Sequence, residues 1–235
     1  MKERLTRIRE SERKSHIEIY TNEKLYNTNS WLQKPIKTVE EILPLFDQYK
    51  KIRILDLGCG VGRNSIYAAE RFLHVDCRVD CVDLLEIAIQ KLLQNAREHQ
   101  VISKINGIHQ SMEEYEIKKE FYDLIMAVSA LEHIETEKKF SEKLQEIKEG
   151  VSKNGIVCLV INSNIREMNL ETKEEIEPQF EVNLATHKVQ KYLEDMFSGW
   201  EILKSLVSEQ EYDIPRENFI SHLHTEVVTY VMRCK

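Results

Sequence analysis

Short apolar runs and stretches of helical spacing alternate along the middle of the chain. KIRILDL predicts a strand, RNSIYAAERF a helix, CRVDCVD a strand and LLEIAIQKLLQNAREH a long amphipathic helix. Strands follow at INGIHQ, FYDLIMAVS and GIVCLVI, with a polar turn at SMEEYEI and a helix at EKKFSEKLQEIKEGV between them. Upstream, IKTVEEILPLFDQY has helical apolar spacing through Val39, Ile42, Leu43 and Phe46, with Thr38 placed to cap it and Glu41 three residues on. Strands separated by helices join through right-handed crossovers, so we expect a mostly parallel sheet covered by helices on both faces.

The rhythm changes in the last third. SNIREMNLETKEEIEPQF predicts a long polar loop, THKVQKYLEDMF a helix, and WEILKSLVSEQ and TEVVTYVMR two strands joined by an irregular connector over residues 208–224. No helix is present for a crossover between them, which predicts an antiparallel pair at the sheet edge. Residues 1–34 are polar and charged, with Tyr20, Tyr26 and Trp31 scattered among Asn and Thr; they predict a mobile arm or lid ahead of a domain spanning residues 35–235.

Length and charge narrow the class. A chain of 235 residues can bury a sizeable core. Its 33 Lys and Arg against 40 Asp and Glu leave a formal net charge of −7, which argues against a nucleic-acid partner. Cys59, Cys77, Cys81, Cys158 and Cys234 show no ligand spacing, so no metal is expected and reduced thiols in a cytoplasm are. No apolar run approaches the roughly 18 residues of a membrane span, and the charged amino terminus does not read as a signal peptide.

The candidate chemistry lies in ILDLGCGVGRNSIYAA, where three glycines occupy alternate positions after a strand that ends in an acid. A loop leaving a parallel strand and opening a helix sits at the carboxyl edge of the sheet, where ligands of such folds bind. Glycine there permits positive φ and close approach of a ligand, or simply a tight turn that packs helix on strand. The dinucleotide spacing G-x-G-x-x-G fails, because Gly58 and Gly60 are followed by Gly62 and then by Arg63.

The acid and glycines Asp56, Gly58, Gly60 and Gly62 resemble the first motif of class I S-adenosylmethionine-dependent methyltransferases. The resemblance runs in order over residues 38–161. It implies a Rossmann-like α/β fold with a seven-stranded, mostly parallel sheet and an antiparallel C-terminal strand, S-adenosyl-L-methionine as cofactor and S-adenosyl-L-homocysteine as product. By the same resemblance Asp56 and the glycines face the aminoacyl end, and Asp83 takes the ribose hydroxyls, with Asp80 as the weaker candidate. Leu84 or Leu85 flanks the adenine, and Ser111 and Met112, or Glu113, stand where the family places its adenine contacts. Ala127, Val128 and Ser129 pass under the methionine part. GRNSIYAA is also similar to the tellurite-resistance branch, but EYDIPRENFISHLHTEV lacks that branch's His-Arg segment.

Methyl transfer is an in-line displacement, so a base is needed only for a protonated acceptor, and histidine is the usual choice. His133 in SALEHI is the candidate, as a substrate-side or cofactor-side residue or as a plain helix-start residue; His16, His187, His222 and His224 are weaker. Arg63 is expected either to close the cofactor's carboxylate or to remain a solvated cation, and Tyr20, Tyr26 and Trp31 either to cover the ligand or to pack the arm. The expected acceptor is a small molecule. A non-catalytic S-adenosylmethionine sensor and a protein methyltransferase are the alternatives; no N-P-P-Y-like segment supports a nucleic-acid base enzyme.

Overall fold

The computed structural model describes every residue except Met1, Asn29, Trp31 and Glu217, and every side chain except theirs and those of Lys2, Glu12, Glu18 and Asn22. In chain order the elements are α1 (Lys2–Asn22), α2 (Lys37–Ile42), β1 (Lys51–Leu57), α3 (Arg63–Arg71), β2 (Asp76–Asp83), α4 (Glu86–Glu98), β3 (Ile105–His109) and β4 (Tyr122–Val128). They continue as α5 (Glu137–Gly150), β5 (Val151–Asn169), β6 (Glu175–Ile176), α6 (Thr186–Met196), β7 (Glu201–Pro215) and β8 (Ile220–Arg233). The sheet order is β3-β2-β1-β4-β5-β8-β7, with β6 paired to β5. β1 to β5 run parallel, and β8 is antiparallel to both β5 and β7.

Strand alternation divides the core into two layers. In β1, Ile52 and Ile54 face α2, α3 and α4 beside Val39, Ile66 and Leu92. Leu55 and Leu57 face α5 and α6 beside Phe140, Leu144, Val189 and Leu193. Both faces of the parallel strands are therefore buried, which is why these strands read as nearly continuous apolar runs.

Three expectations are corrected. Thr38 does not cap α2: the capping residue is Ile36, without a side-chain bond, and Thr38 is buried within the helix. The predicted polar loop after strand five begins as strand instead, because β5 continues to Asn169 with Ser163, Ile165 and Glu167 buried on one face and polar partners on the other. Its inward residues are mostly polar, so no hydrophobic alternation announced it. The predicted connector over residues 208–224 is likewise largely strand, since β7 reaches Pro215 and β8 starts at Ile220; the two form the expected antiparallel pair at the sheet edge, with β7 outermost. Residues 2–22 of the arm form one continuous helix that buries Leu5, Ile8 and Tyr20. Among the described residues no helix is long and apolar enough to cross a membrane.

These corrections matter for the site. β4 pairs with β5 only as far as Val128 and Val160, so the part of β5 from Ile161 to Asn169 overshoots the carboxyl edge of the sheet by about 30 Å at roughly 3.3 Å per residue. With the facing halves of β8 and β7 it raises an antiparallel wall beside the ends of β1, β2 and β4.

Candidate active site

The glycine turn is held to β2 by its own backbone. Gly58 N and Cys59 N both donate to Val82 O, at 2.8 and 3.1 Å. All three glycines have positive φ, +70°, +54° and +93° for Gly58, Gly60 and Gly62, but they serve different ends. A Cβ on Gly58 would lie 2.4 Å from Ala130 Cβ, and one on Gly62 would lie 2.4 Å from Leu92 Cδ1. Those two let β4 and α4 close on the turn. Among the described residues a Cβ on Gly60 would instead meet only the Tyr20 ring of α1, its hydroxyl at 2.9 Å, so Gly60 turns its bare backbone toward α1.

Two acids close the strand ends on either side. Asp83 accepts from Gly60 N through Oδ2 and from Leu85 N through Oδ1, each at 2.8 Å. Burial raises its pKa, while those two amides and the charges of His16 and His133 pull it back. Asp56 is 1% exposed and accepts from Ser65 Oγ at 2.5 Å. Burial pushes its pKa up to about 7, opposed by the Ser65 bond and reinforced by the charge of Asp83. Arg63 opens α3; burial lowers its pKa, and Tyr20, Asp56, Tyr212 and Tyr26 act against that. Tyr26 Oη donates to Arg63 O at 2.8 Å.

Asp80, the weaker ribose candidate, is engaged structurally: it accepts from Tyr122 Oη at 2.9 Å, Asn106 Nδ2 at 2.8 Å and Arg78 Nε at 3.2 Å. Leu84, Ser111 and Glu113 line a cleft of about 430 Å³ that His109 and Arg9 also reach. Ser111 Oγ accepts from Glu113 N, and Met112 Cε approaches the empty side of Gly58. At the end of β4, Val128 is half-buried, and the exposed Ser129 adopts φ +50° while donating its N–H to Val160 O at 2.7 Å. Strained backbone of this kind concentrates at functional sites.

After β4 a single 3₁₀ turn, Leu131–His133, carries Glu132 and His133. His133 Nδ1 lies 3.1 Å from Glu181 Oε2, and its ring stacks on Phe180 at 5.2 Å. Glu181 is itself buried and accepts from Arg9 Nε of α1 at 3.4 Å, while Arg9 Nη2 donates to Glu113 Oε1 at 3.2 Å. Arg4 bonds Glu177 and Phe180 O. The helix thus crosses the carboxyl edge, with Arg4 and Arg9 on the 177–181 segment and Tyr20 on the glycine turn. His187, His222 and His224 lie elsewhere: His187 in a separate cleft with Asn164 and Glu226, His222 on Asp213, and His224 beside Arg166. Trp31 lies outside the described residues.

Two side chains of this region were not singled out by sequence. Glu181 sits in what read as a polar loop. Glu132 is 1% exposed, and its only signal was an acid set between Leu131 and Ile134.

Residues 54–155 match the family model of the methyltransferase domain. Over that stretch the chain is similar to the class I S-adenosylmethionine-dependent methyltransferases. The chain is 29% identical over 122 residues to a ubiquinone biosynthesis O-methyltransferase of Rickettsia canadensis, covering 52% of this chain and 47% of that protein. It therefore spans about half the length of the curated relatives it matches. Among solved structures, an S-adenosylmethionine-dependent methyltransferase of Methanosarcina mazei superposes with a TM-score of 0.55 at 17% identity, covering 83% of this chain and 98% of that one. The 1,6-didemethyltoxoflavin-N1-methyltransferase of Burkholderia thailandensis, solved with bound 1,6-didemethyltoxoflavin and S-adenosylhomocysteine, superposes with a TM-score of 0.55 at 15% identity, covering 95% of this chain and 87% of that one. The chain thus has the Rossmann-like fold of these methyltransferases, whose names carry S-adenosylmethionine or its product as ligand.

The acceptors present fit that cofactor. A carboxylate offers about four acceptor sites, and at Asp83 the amides of Gly60 and Leu85 use two. The remaining capacity matches a pair of vicinal hydroxyls. Asp56, buried with a single hydroxyl donor, is suited to a cationic partner.

Proposed function

We propose that this methyltransferase domain transfers a methyl group from S-adenosylmethionine to a small molecule bound under α1. The observation that carries the reading is the bridge from Gly60 N to Asp83, which brings the bare backbone of the turn and a ribose-type acceptor together beneath Tyr20. The Rickettsia relative is named for O-methylation in ubiquinone biosynthesis, and the Burkholderia neighbour was solved with a small-molecule substrate; both support a small acceptor.

When bound, the cofactor supplies a methyl group on a sulfonium, already activated toward a nucleophile. In this reading Asp83 holds the ribose, Asp56 faces the ammonium group and Arg63 the carboxylate. Leu84, Ser111 and Met112 border the adenine, and Val128 lies under the methionine chain. His133, oriented through Nδ1 by Glu181, receives the acceptor's proton where the acceptor carries one. The role of α1 is to exclude water, with Arg4 and Arg9 tying it to the 177–181 segment.

The test is calorimetric. S-adenosylhomocysteine should bind in the micromolar range and raise the melting temperature, by about 2.7 kcal/mol of stabilisation at a hundredfold excess over Kd, while NAD does neither. Binding of NAD alone would overturn the reading.

A further inference from the structure

One buried carboxylate near this site has no structural task that accounts for it. Glu132 is 1% exposed. Asn162 Nδ2 donates to its Oε1, and the backbone amides of Glu132 and Asn162 approach the carboxylate. Its Oε2 has no hydrogen-bond partner, and no ion pair joins it to a cation, among the described residues. Burying an acid in this way costs stability unless something pairs with it, and such groups gather at functional sites.

The position is also informative. Glu132 stands three residues beyond the strained Ser129 and next to His133, whose charge reaches Asp83. It lies at the foot of the overshooting wall, fixed by Asn162 of β5, whose Oδ1 accepts in turn from the buried Thr225 of β8. The backbone of Glu132 anchors the 177–185 segment, since Val182 N donates to Glu132 O at 3.0 Å. Tyr212 of β7 lies within electrostatic reach of both Glu132 and Arg63.

We propose that Glu132 Oε2 receives a hydrogen bond from the methyl acceptor, and that the acceptor is an uncharged molecule presenting a hydroxyl donor. The proposal rests on the methyltransferase reading of the site and names the substrate class within it. A carboxylate-bearing acceptor would place its charge against Glu132. An ammonium-bearing one would meet Arg63 and His133. A neutral hydroxyl satisfies the orphaned oxygen and offends neither.

Phenol, benzoate and benzylamine separate these possibilities, because they present a neutral donor, an anion and a cation on one ring. Binding of each to the S-adenosylhomocysteine complex is measured by calorimetry or saturation-transfer NMR, for wild type and for Glu132→Gln. Phenol should bind wild type in preference to the other two, and Glu132→Gln should weaken it about tenfold, as expected for loss of one hydrogen bond to a charged acceptor. Affinity for S-adenosylhomocysteine should be unchanged. Equal binding of phenol to both proteins, preference of wild type for benzoate or benzylamine, or no binding of phenol would each overturn the proposal. If Glu132→Gln fails to fold, the wild-type ranking of the three probes still decides. Failure of S-adenosylhomocysteine itself to bind wild type would instead refute the cofactor reading.

Discussion

Asp83→Ala tests the cofactor site most directly, because the native geometry sets out what is lost. Asp83 accepts the Gly60 and Leu85 amides at 2.8 Å and is buried. Removing it leaves two backbone donors without an acceptor, which should cost the free protein about 2 kcal/mol and lower its melting temperature by roughly 4 to 8 °C for a chain of this size. On the proposed reading the cofactor also loses the acceptor for its ribose hydroxyls, and a net 1 to 3 kcal/mol should weaken S-adenosylhomocysteine by about 5- to 150-fold. A fall in affinity alone would not distinguish a ribose contact from a loosened turn. The 2′-deoxy analogue of S-adenosylhomocysteine makes that distinction through a double-mutant cycle. Wild type should prefer the parent nucleoside, and Asp83→Ala should lose most of that preference, giving a coupling energy of about 1 kcal/mol or more. Additive losses, with coupling below roughly 0.3 kcal/mol, would mean that Asp83 only shapes the turn and that the ribose is held elsewhere.

Three further outcomes are expected. The pKa of Asp56 is raised to about 7 from 3.8, so the folded state binds more protons there than the unfolded state; this contribution is least unfavourable at low pH and reduces stability as pH rises from about 4 to about 7. Urea unfolding of Asp56→Asn should therefore gain on wild type as pH rises through that window, and a constant difference would contradict the burial argument. Gly58→Ala adds a Cβ 2.4 Å from Ala130 Cβ at φ +70° and should lose about 2 to 4 kcal/mol in the same assay; wild-type stability would show that the turn relaxes freely. Hydrogen exchange in residues 17–28 should slow when S-adenosylhomocysteine binds, and exchange there that ignores the ligand would leave α1 as packing rather than a lid.

By itself the sequence determined the alternation of β1 to β5 with helices, the place of the glycine turn at a strand end, and the pairing of Asp56 with Asp83 as candidate ligands. These are local matters: burial of parallel strands on both faces forces continuous apolar runs, and a tight turn with positive φ forces glycine. Gly60 and Gly62 look alike in the sequence. Only the packing of α4 against Gly62 and of α1 over Gly60 separated a glycine that admits a neighbouring helix from one that lies under the Tyr20 ring. The extension of β5 was hidden because Ser163 and Glu167 turn inward as polar residues, their burial balanced by Glu226 O for Ser163 and by Arg216 and Ser221 for Glu167. The arm was hidden for a similar reason. Leu5, Ile8 and Tyr20 are too sparse for a core helix, yet Arg4 and Arg9 find acceptors on a segment more than 160 residues away in the chain. That Glu132 Oε2 has no donor among the described residues depends on which groups the fold leaves out of its reach, a property of long-range neighbours that no local pattern encodes.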